Sequence, residues 1–330
     1  MTATEDKKIQ VGVRQGDSGR RLDSILAESV LTDGKSRTVV RLLIESGNVT
    51  VNGEPQSNPA KRLRYGDIIG LERYSSESPV LTPNHDLSMT ILFENDQLLA
   101  IAKPAGVQMH PAGNDLTDTV SNWVIAKRPD MASVGYDPLR PGIVHRLDRN
   151  TSGVVVLAKT PESFNELQEL FRARKVKKTY QALVLGNVRE IEGIVSYPLA
   201  HRTGTLRRQA IVKQETEVKD AKEAVTEYRV KQRYREYDLL EVFPKTGRTH
   251  QIRVHLAAIG HPVVGDRLYG GRRMKRVGMP ERQLLHSFAL SFTLFGIPVH
   301  LEAPLPPDFS EFVDSLDGMK KAGYPGKALN

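Results

Sequence analysis

Val154-Val155-Val156-Leu157-Ala158 is an unbroken apolar run that begins directly after a polar loop. Such a run, bounded by turn residues, reads as a buried strand, so the chain has to build a sheet that excludes water at this point. The loop feeding it, residues 145–153, is His-Arg-Leu-Asp-Arg-Asn-Thr-Ser-Gly. It sets one carboxylate, Asp148, between Arg146 and Arg149 and closes in a Thr151-Ser152-Gly153 turn. A lone Asp on a tight loop against a buried strand suits a nucleophile or a general base. It suits equally a structural loop tied down by an Asp–Arg pair, and these nine residues leave the two readings level.

The chain has 330 residues, room for two domains. With 39% apolar and 26% charged residues it can bury a sizeable core. It contains no cysteine, which excludes disulfides and thiolate metal sites. Its first eight residues lack the apolar core of a signal peptide, and no apolar run is long enough to cross a membrane. A cytoplasmic protein without membrane contact is expected. The net charge of +8 is concentrated in residues 172–213, where ten Lys and Arg face only Glu190 and Glu192. That is the footprint of a polyanion partner, and Tyr180, Tyr197 and His201 among the cations favour nucleic acid over a merely solvated face.

Residues 1–17 read as a polar arm. Leu22, Ile25 and Leu26 share a helical face, and Ser36 is placed to cap a second helix with Val40, Leu43 and Ile44 inward and Gly47 as its stop. Val49-Thr50-Val51 running into Asn52-Gly53 predicts a hairpin, and Asp67–Leu71 a closing strand. The Ser- and Pro-rich stretch after Tyr74 reads as a linker. Beyond it, strand-like runs recur at 91–93, 98–102, 153–158, 179–185, 224–230 and 237–243. One helix is predicted at 161–174, capped by Thr160 with Pro161 in first position and Phe164, Leu167, Leu170 and Phe171 on one face. Another is predicted at 250–259, stopped by Gly260. Strands and helices in this order make a mixed α+β sheet domain, not a regular βαβ series.

Three further segments carry candidate chemistry. Lys103-Pro104-Ala105-Gly106 follows a strand, which is also what a plain turn would do. Lys177-Lys178-Thr179-Tyr180 puts an aromatic ring at a strand start inside the basic segment; such a Tyr is more often core than ligand. Gly247-Arg248-Thr249-His250-Gln251-Ile252-Arg253 opens a helix with cations at its N-terminus. If that helix end faces Asp148, Arg253 can pair with the carboxylate, Ile252 can offer an apolar floor and Tyr180 a stacking face. His250, His255 and His261 do not form a metal motif, since there is no His-Glu-x-x-His and no Cys. No Gly-x-Ser-x-Gly elbow and no Gly-rich phosphate loop occurs, which argues against a serine hydrolase and against ATP or NAD use.

At these residues the sequence resembles the RluA-type family of RNA pseudouridine synthases. His-Arg-Leu-Asp-x-x-Thr-Ser-Gly at 145–153 matches the family signature. Lys103-Pro-Ala-Gly106, Lys178-Thr-Tyr180-Gln-Ala-Leu-Val184, Lys222-Glu-Ala-Val-Thr226 and Gly247–Arg253 match its other blocks in order. Arg21-Leu-Asp23, Ser36-Arg37 and Gly47–Gly53 resemble the alpha-L RNA-binding motif of a ribosomal protein. The resemblance implies an α+β protein: a catalytic domain with a mixed, largely antiparallel sheet and flanking helices, preceded by a small α+β RNA-binding domain. The implied layout is a flexible arm at 1–17, the RNA-binding domain at 18–74, a linker at 75–87, the catalytic domain at 88–317 and a flexible tail at 318–330.

The implied activity is isomerisation of specific uridines to pseudouridine in structured RNA, large-subunit ribosomal RNA first, by a monomer using no metal or organic cofactor. Asp148 is the implied nucleophile, Arg253 its partner and Tyr180 the ring that stacks on the base and helps remove a proton. Arg146 fills the space left by the flipped nucleotide, and Ile252 packs near the base. Thr151, Lys103, Lys178, Arg248, His250, Arg207, Arg208, Arg37 and Arg41 complete the expected RNA-contacting set. The N-terminal domain is only mildly basic, with twelve Lys and Arg against ten Asp and Glu over residues 1–75, so its affinity rests on few residues. A transfer-RNA substrate, or a catalytically silent RNA-binding or ribosome-assembly factor, are the competing readings; a hydrolase using His145 and Asp148 is the most distant. Replacing Arg207 and Arg208 together by Gln is expected to weaken RNA binding and flatten its dependence on log salt by about 1.5. Titrations at several salt concentrations check this, and an unchanged slope would mean a solvated face.

Overall fold

The computed structural model describes residues 9–29, 37–45, 47–71, 81–111, 116–201, 209–212, 221–275 and 278–319. The chain divides into two compact units, Met1–Asn84 with His110–Thr117 and Ser121–Pro141, and His85–Met109 with Asp118–Val120 and Gly142–Asn330.

The first unit holds a four-stranded antiparallel sheet in the order β1 (Ile9–Gly12), β4 (Ile68–Leu71), β2 (Val49–Val51), β3 (Glu54–Gln56). Residues 9–12 are thus not part of a loose arm: Gln10 faces Gly70 and Val11 faces Ile69 across an antiparallel ladder. Helices α1 (Leu22–Ala27) and α2 (Arg37–Glu45) contribute Leu22, Ile25, Leu26, Val40 and Ile44 to one core with Val49, Val51 and Ile69. Asn52 (φ 55°) and Gly53 (φ 83°) turn β2 into β3, the left-handed pair that an Asn-Gly hairpin requires. Leu43 packs against this core, as its inward position predicts, and also against a second cluster of Leu81 and Leu139 that Ile125 of α3 (Val120–Lys127) joins. Ser36 and residues 75–80 of the expected linker lie outside the described residues, as do 320–330 of the expected tail.

In the second unit, nine of the described strands form one sheet. The order is β5 (Thr90–Glu94), β6 (Leu98–Lys103), β7 (Ser152–Ala158), β14 (Leu285–Leu294), β8 (Lys177–Leu185), β13 (Tyr237–Pro244), β12 (Thr226–Arg233), β9 (Glu192–Val195), with β15 (Ile297–Glu302) beside β14. Every pair in it is antiparallel except β7 with β14. A separate ribbon pairs β10 (Leu199–His201) with β11 (Gln209–Ile211). All seven residues of β7 are buried, as an unbroken apolar run demands.

The faces follow the two-residue period of a strand. On β8, Ala182 and Val184 meet Ile252 and Leu256 of α5 (Gln251–Ala258) on one side, while Leu183 meets Phe309 of α6 (Pro307–Asp314) on the other. Helix α4 (Pro161–Arg172) starts as its sequence predicts: Thr160 Oγ1 accepts from Ser163 N and Ser163 Oγ from Thr160 N, each at 3.2 Å. Among the described residues no helix is long and apolar enough to cross a membrane.

The start of β7 lies tight against β14, with Ser152 opposite His286 and Gly153 opposite Ser287. Gly153 (φ 122°) pairs with Ser287, and a Cβ there would lie 2.1 Å from the Ser287 carbonyl oxygen. Ser287 also pairs with Tyr180 of β8, so one residue of β14 separates the Asp148 loop from the Tyr180 strand. Gly153→Ala is therefore expected to destabilise the fold by about 3 kcal/mol or more, by adding a backbone clash to an unfavourable φ. Gly106→Ala, at φ 90° with nothing within 4 Å, incurs the backbone strain alone. Urea unfolding of both variants checks the order, and equal losses would remove the argument for close approach.

Candidate active site

A cleft of about 500 Å³ opens in the second unit where the loop at 144–151 faces the segment 244–253. Asp148 lies in it with its side chain 18% exposed, and Arg253 Nη1 donates to Asp148 Oδ2 at 3.0 Å. The flanking arginines do not take that role. Arg149 Nε donates to Gly106 O at 2.8 Å, and Arg146 is exposed on the cleft wall. The reading of Asp148 as half of a local Asp–Arg tie therefore gives way to a contact across 105 residues.

Arg253 is aligned from behind. Its Nε and Nη2 donate to Oδ2 and Oδ1 of Asp266 at 2.8 and 3.0 Å, a fork-to-carboxylate pair with Asp266 fully buried. Asp266 Oδ1 also accepts from the backbone N–H groups of Leu268 and Tyr269, and the Tyr269 ring lies 5.2 Å from the guanidinium carbon. Burial alone would lower the Arg253 pKa, but Asp266 and then Asp148 raise it, so the side chain is a fixed cation. Asp266 and Tyr269 were not picked out by sequence reasoning; a polar turn between Gly265 and Gly270 is the one signal that could have flagged them.

The N-terminus of α5 is held by a buried polar network. Gln251 Oε1 accepts from Thr246 Oγ1 at 2.7 Å and from Arg248 N at 3.0 Å, while its Nε2 donates to Val225 O and Thr226 Oγ1. His250 precedes the helix in a left-handed conformation (φ 58°) and reaches within 3.8 Å of Asp148. Ile252 is buried against Leu285 and Tyr180 while still lining the cleft, the apolar floor the sequence implied.

The Asp148 loop is clamped from below. Lys103, 1% exposed, donates to the carbonyls of Pro104, Val107 and Arg149 at 2.8, 2.8 and 3.0 Å. Its expected contact with RNA is thus corrected, because all three ammonium donors are spent inside the protein. Burial draws its pKa down to about 7, with Asp148 opposing the shift. Arg282, anchored on Asp308, donates to Asn150 O at 3.4 Å, and Gln283 donates to Thr151 Oγ1 at 3.4 Å. Thr151 is likewise corrected from RNA ligand to loop fastener: it is 2% exposed and its N–H closes the turn on Asp148 O.

Tyr180 lines the cleft, and burial pushes its phenol up to about 12, a nearby Ser287 hydroxyl opposing. Such a phenol keeps its proton at neutral pH, so it offers the cleft a ring face and a neutral hydroxyl. Lys178 donates to Thr246 O at 3.3 Å, and burial, then Arg174, lowers its pKa to about 8. With Arg172, Arg174, Lys245 and Arg248 it makes one side of the cleft cationic. Arg41 is exposed in the first unit, 3.4 Å from Glu45. The Arg37 side chain, Arg207 and Arg208 lie outside the described residues. Among the described residues no group of three or more His, Asp or Glu is placed to hold a metal ion.

This geometry coincides with a family signal. A family model described as RNA pseudouridylate synthase matches residues 97–258, and one described as S4 domain matches residues 20–69. An uncharacterized RNA pseudouridine synthase of Synechocystis sp. is 37% identical over 307 residues, covering 92% of this chain and 90% of that one. The chain belongs to the RNA pseudouridine synthase family. Ribosomal large subunit pseudouridine synthase D of Yersinia pestis is 32% identical over 321 residues, 94% of each chain. The solved structure of human RNA Pseudouridylate Synthase Domain Containing 1 superposes with a TM-score of 0.58 at 27% identity, over 72% of this chain and 91% of that chain. This pseudouridine synthase is accordingly an isomerase that acts on RNA, with an S4 domain ahead of its catalytic sheet.

Two histidines of the synthase are structural. His145 stacks on Phe171 (centroids 4.6 Å apart), and its Nε2 accepts from Val156 N at 2.9 Å. His286 lies between Ser152 Oγ at 2.9 Å and Ala303 O at 3.0 Å. Burial lowers their pKa values to about 3 and about 4. The unfolded chain takes up these protons near pH 6.5, whereas the folded one does so only below pH 4. Their contribution is therefore intact above pH 6.5 and is lost as pH falls toward 4. Urea unfolding is expected to show stability falling by up to about 1.4 kcal/mol per pH unit per histidine below pH 6. A flat profile there would mean that both rings accept protons in the fold.

Proposed function

We propose that this enzyme isomerises specific uridines of large-subunit ribosomal RNA in the cytoplasm, with Asp148 as nucleophile. The observation that carries the reading is the Asp148 carboxylate paired with a buried Arg253 in a cleft that also holds Tyr180. The choice of ribosomal RNA is supported by relatives named ribosomal large subunit pseudouridine synthase D, which align along both units.

The target uridine leaves its stack to enter the cleft, at a cost of a few kcal/mol. Phosphate contacts along the cationic wall offset this cost without reading sequence. Arg146, exposed at the rim, is positioned to occupy the vacated stack. Asp148 forms a bond to ribose C1′ as the N1–C1′ bond breaks and the electron pair departs on the uracil ring. The ring, held between Tyr180 and Ile252, turns to present C5. C5 bonds to C1′ as the Asp148 carboxylate is expelled, the C5 proton passes by way of the Tyr180 hydroxyl to water, and N1 takes one proton from water. Atoms balance with no co-reactant. Direct attack on phosphate is disfavoured, because two anions would have to meet in the cleft.

Asp148→Asn and Asp148→Ala are expected to abolish pseudouridine formation while RNA binding stays within about threefold, since affinity comes mainly from phosphate contacts. Mapping pseudouridines across ribosomal and transfer RNA, with and without each variant, checks both the residue and the substrate. Retained turnover would sink the nucleophile assignment, and modification confined to transfer RNA would sink the choice of substrate.

A further inference from the structure

The steps above leave His250 and Tyr269 without a part, although His250 stands beside the reacting carboxylate and Tyr269 touches both His250 and Arg253. His250 makes no side-chain cap to α5, so its ring serves something other than the helix end. Nδ1 lies 2.8 Å from the Tyr269 hydroxyl, and Nε2 lies 3.8 Å from Asp148 Oδ2. The Tyr269 hydroxyl already accepts the Gln209 N–H at 3.0 Å. A phenol that accepts one hydrogen bond has its own proton to give, and Nδ1 is the acceptor in reach. Nδ1 is therefore the bare nitrogen. Independently, a lone pair on Nε2 facing a carboxylate oxygen would be repelled, whereas an N–H there is attracted. Both arguments put the ring proton on Nε2.

We infer that Tyr269 holds His250 as the Nε2–H tautomer, and that His250 is thereby a positioning residue for Asp148. Its N–H is a second donor on the side of Oδ2, beside Arg253, which leaves Oδ1 turned toward the substrate. The inference rests on Asp148 being the reacting carboxylate. Burial draws the His250 pKa down, against the pull of Asp148, so the donor is neutral. A neutral donor orients the oxygen without adding a second full positive charge that would blunt its attack. The 3.8 Å gap is about 1 Å longer than a hydrogen bond. Contacts of this kind commonly close only when substrate is bound. Tyr269 is itself immobilised by Asp266, through the bond from its backbone N–H, and by its ring against Arg253. One carboxylate thus aligns both groups that face Asp148 Oδ2.

Two substitutions separate this role from a structural one. The amide nitrogen of Gln reaches the place of Nε2, while that of Asn stops at the place of Nδ1. The left-handed backbone at 250 favours the opposite order, since Asn tolerates it and Gln is strained. His250→Asn should therefore be the more stable variant, and His250→Gln the more active. We expect the kcat of His250→Gln within about fivefold of the parent and that of His250→Asn lower by about thirtyfold, with KM little changed in both. Turnover that follows stability, with Asn above Gln, would overturn the inference. Nitrogen NMR of the histidine-labelled full chain reads the tautomer without any turnover, the His250 signals being assigned by their loss in His250→Gln. Expected are a protonated Nε2 and a bare Nδ1, becoming a mixture in Tyr269→Phe. A bare Nε2, or a doubly protonated ring at neutral pH, would sink the inference, while an active Asp148→Asn would sink the nucleophile assignment instead.

Discussion

A guanidinium nearly removed from water has to be matched on each edge it presents, and Arg253 is matched by carboxylates from two distant parts of the chain. Asp266 takes two of its nitrogens and Asp148 the third. Removing one partner of such a buried set leaves a charge uncompensated, typically at a cost of about 3–5 kcal/mol, so the three groups hold one another in place. The orientation of α5, the turn after Val263 and the loop before β7 all have to meet at this point. The cleft is the space left when they do.

Precision at Asp148 comes from beneath the loop. Lys103, Arg282 and Gln283 each fasten a consecutive residue of 149–151, and they come from two segments far apart in the chain. A loop pinned at successive backbone or side-chain oxygens loses its freedom before substrate arrives, which is where positioning gains its effect. Lys103 and Thr151, which appear in sequence as candidate RNA contacts, are here supports of the Asp148 loop.

Local signals in the sequence were read well where local physics decides. The Asn52-Gly53 hairpin and the Thr160 cap with Pro161 fall where propensity put them. The six strand runs correspond to β5, β6, β7, β8, β12 and β13, with β12 starting two residues later at Thr226. Strand β14 escaped notice because buried polar residues, His286 and Ser287, interrupt its apolar pattern. Those residues are polar for a reason visible only in three dimensions: His286 bonds Ser152, and Ser287 sits between Gly153 and Tyr180. Lys103 and Thr151 were misplaced for a related reason, since a cation and a hydroxyl next to a catalytic motif look alike whether they face solvent or the loop beneath.

The sequence by itself determined the family and the two-part organisation, and it singled out Asp148, Arg253, Tyr180 and Ile252, because short motifs fix residue identity at fixed spacing. Only the tertiary structure decided which charges meet. Asp148 has arginines on both sides in the chain, yet its partner is 105 residues away, because β7 and α5 converge on one cleft while Arg149 turns back to Gly106. The roles of Asp266 and Tyr269 belong to the same class. Pairing in a buried site depends on which side chains share a desolvated volume, and spacing along a chain does not encode that.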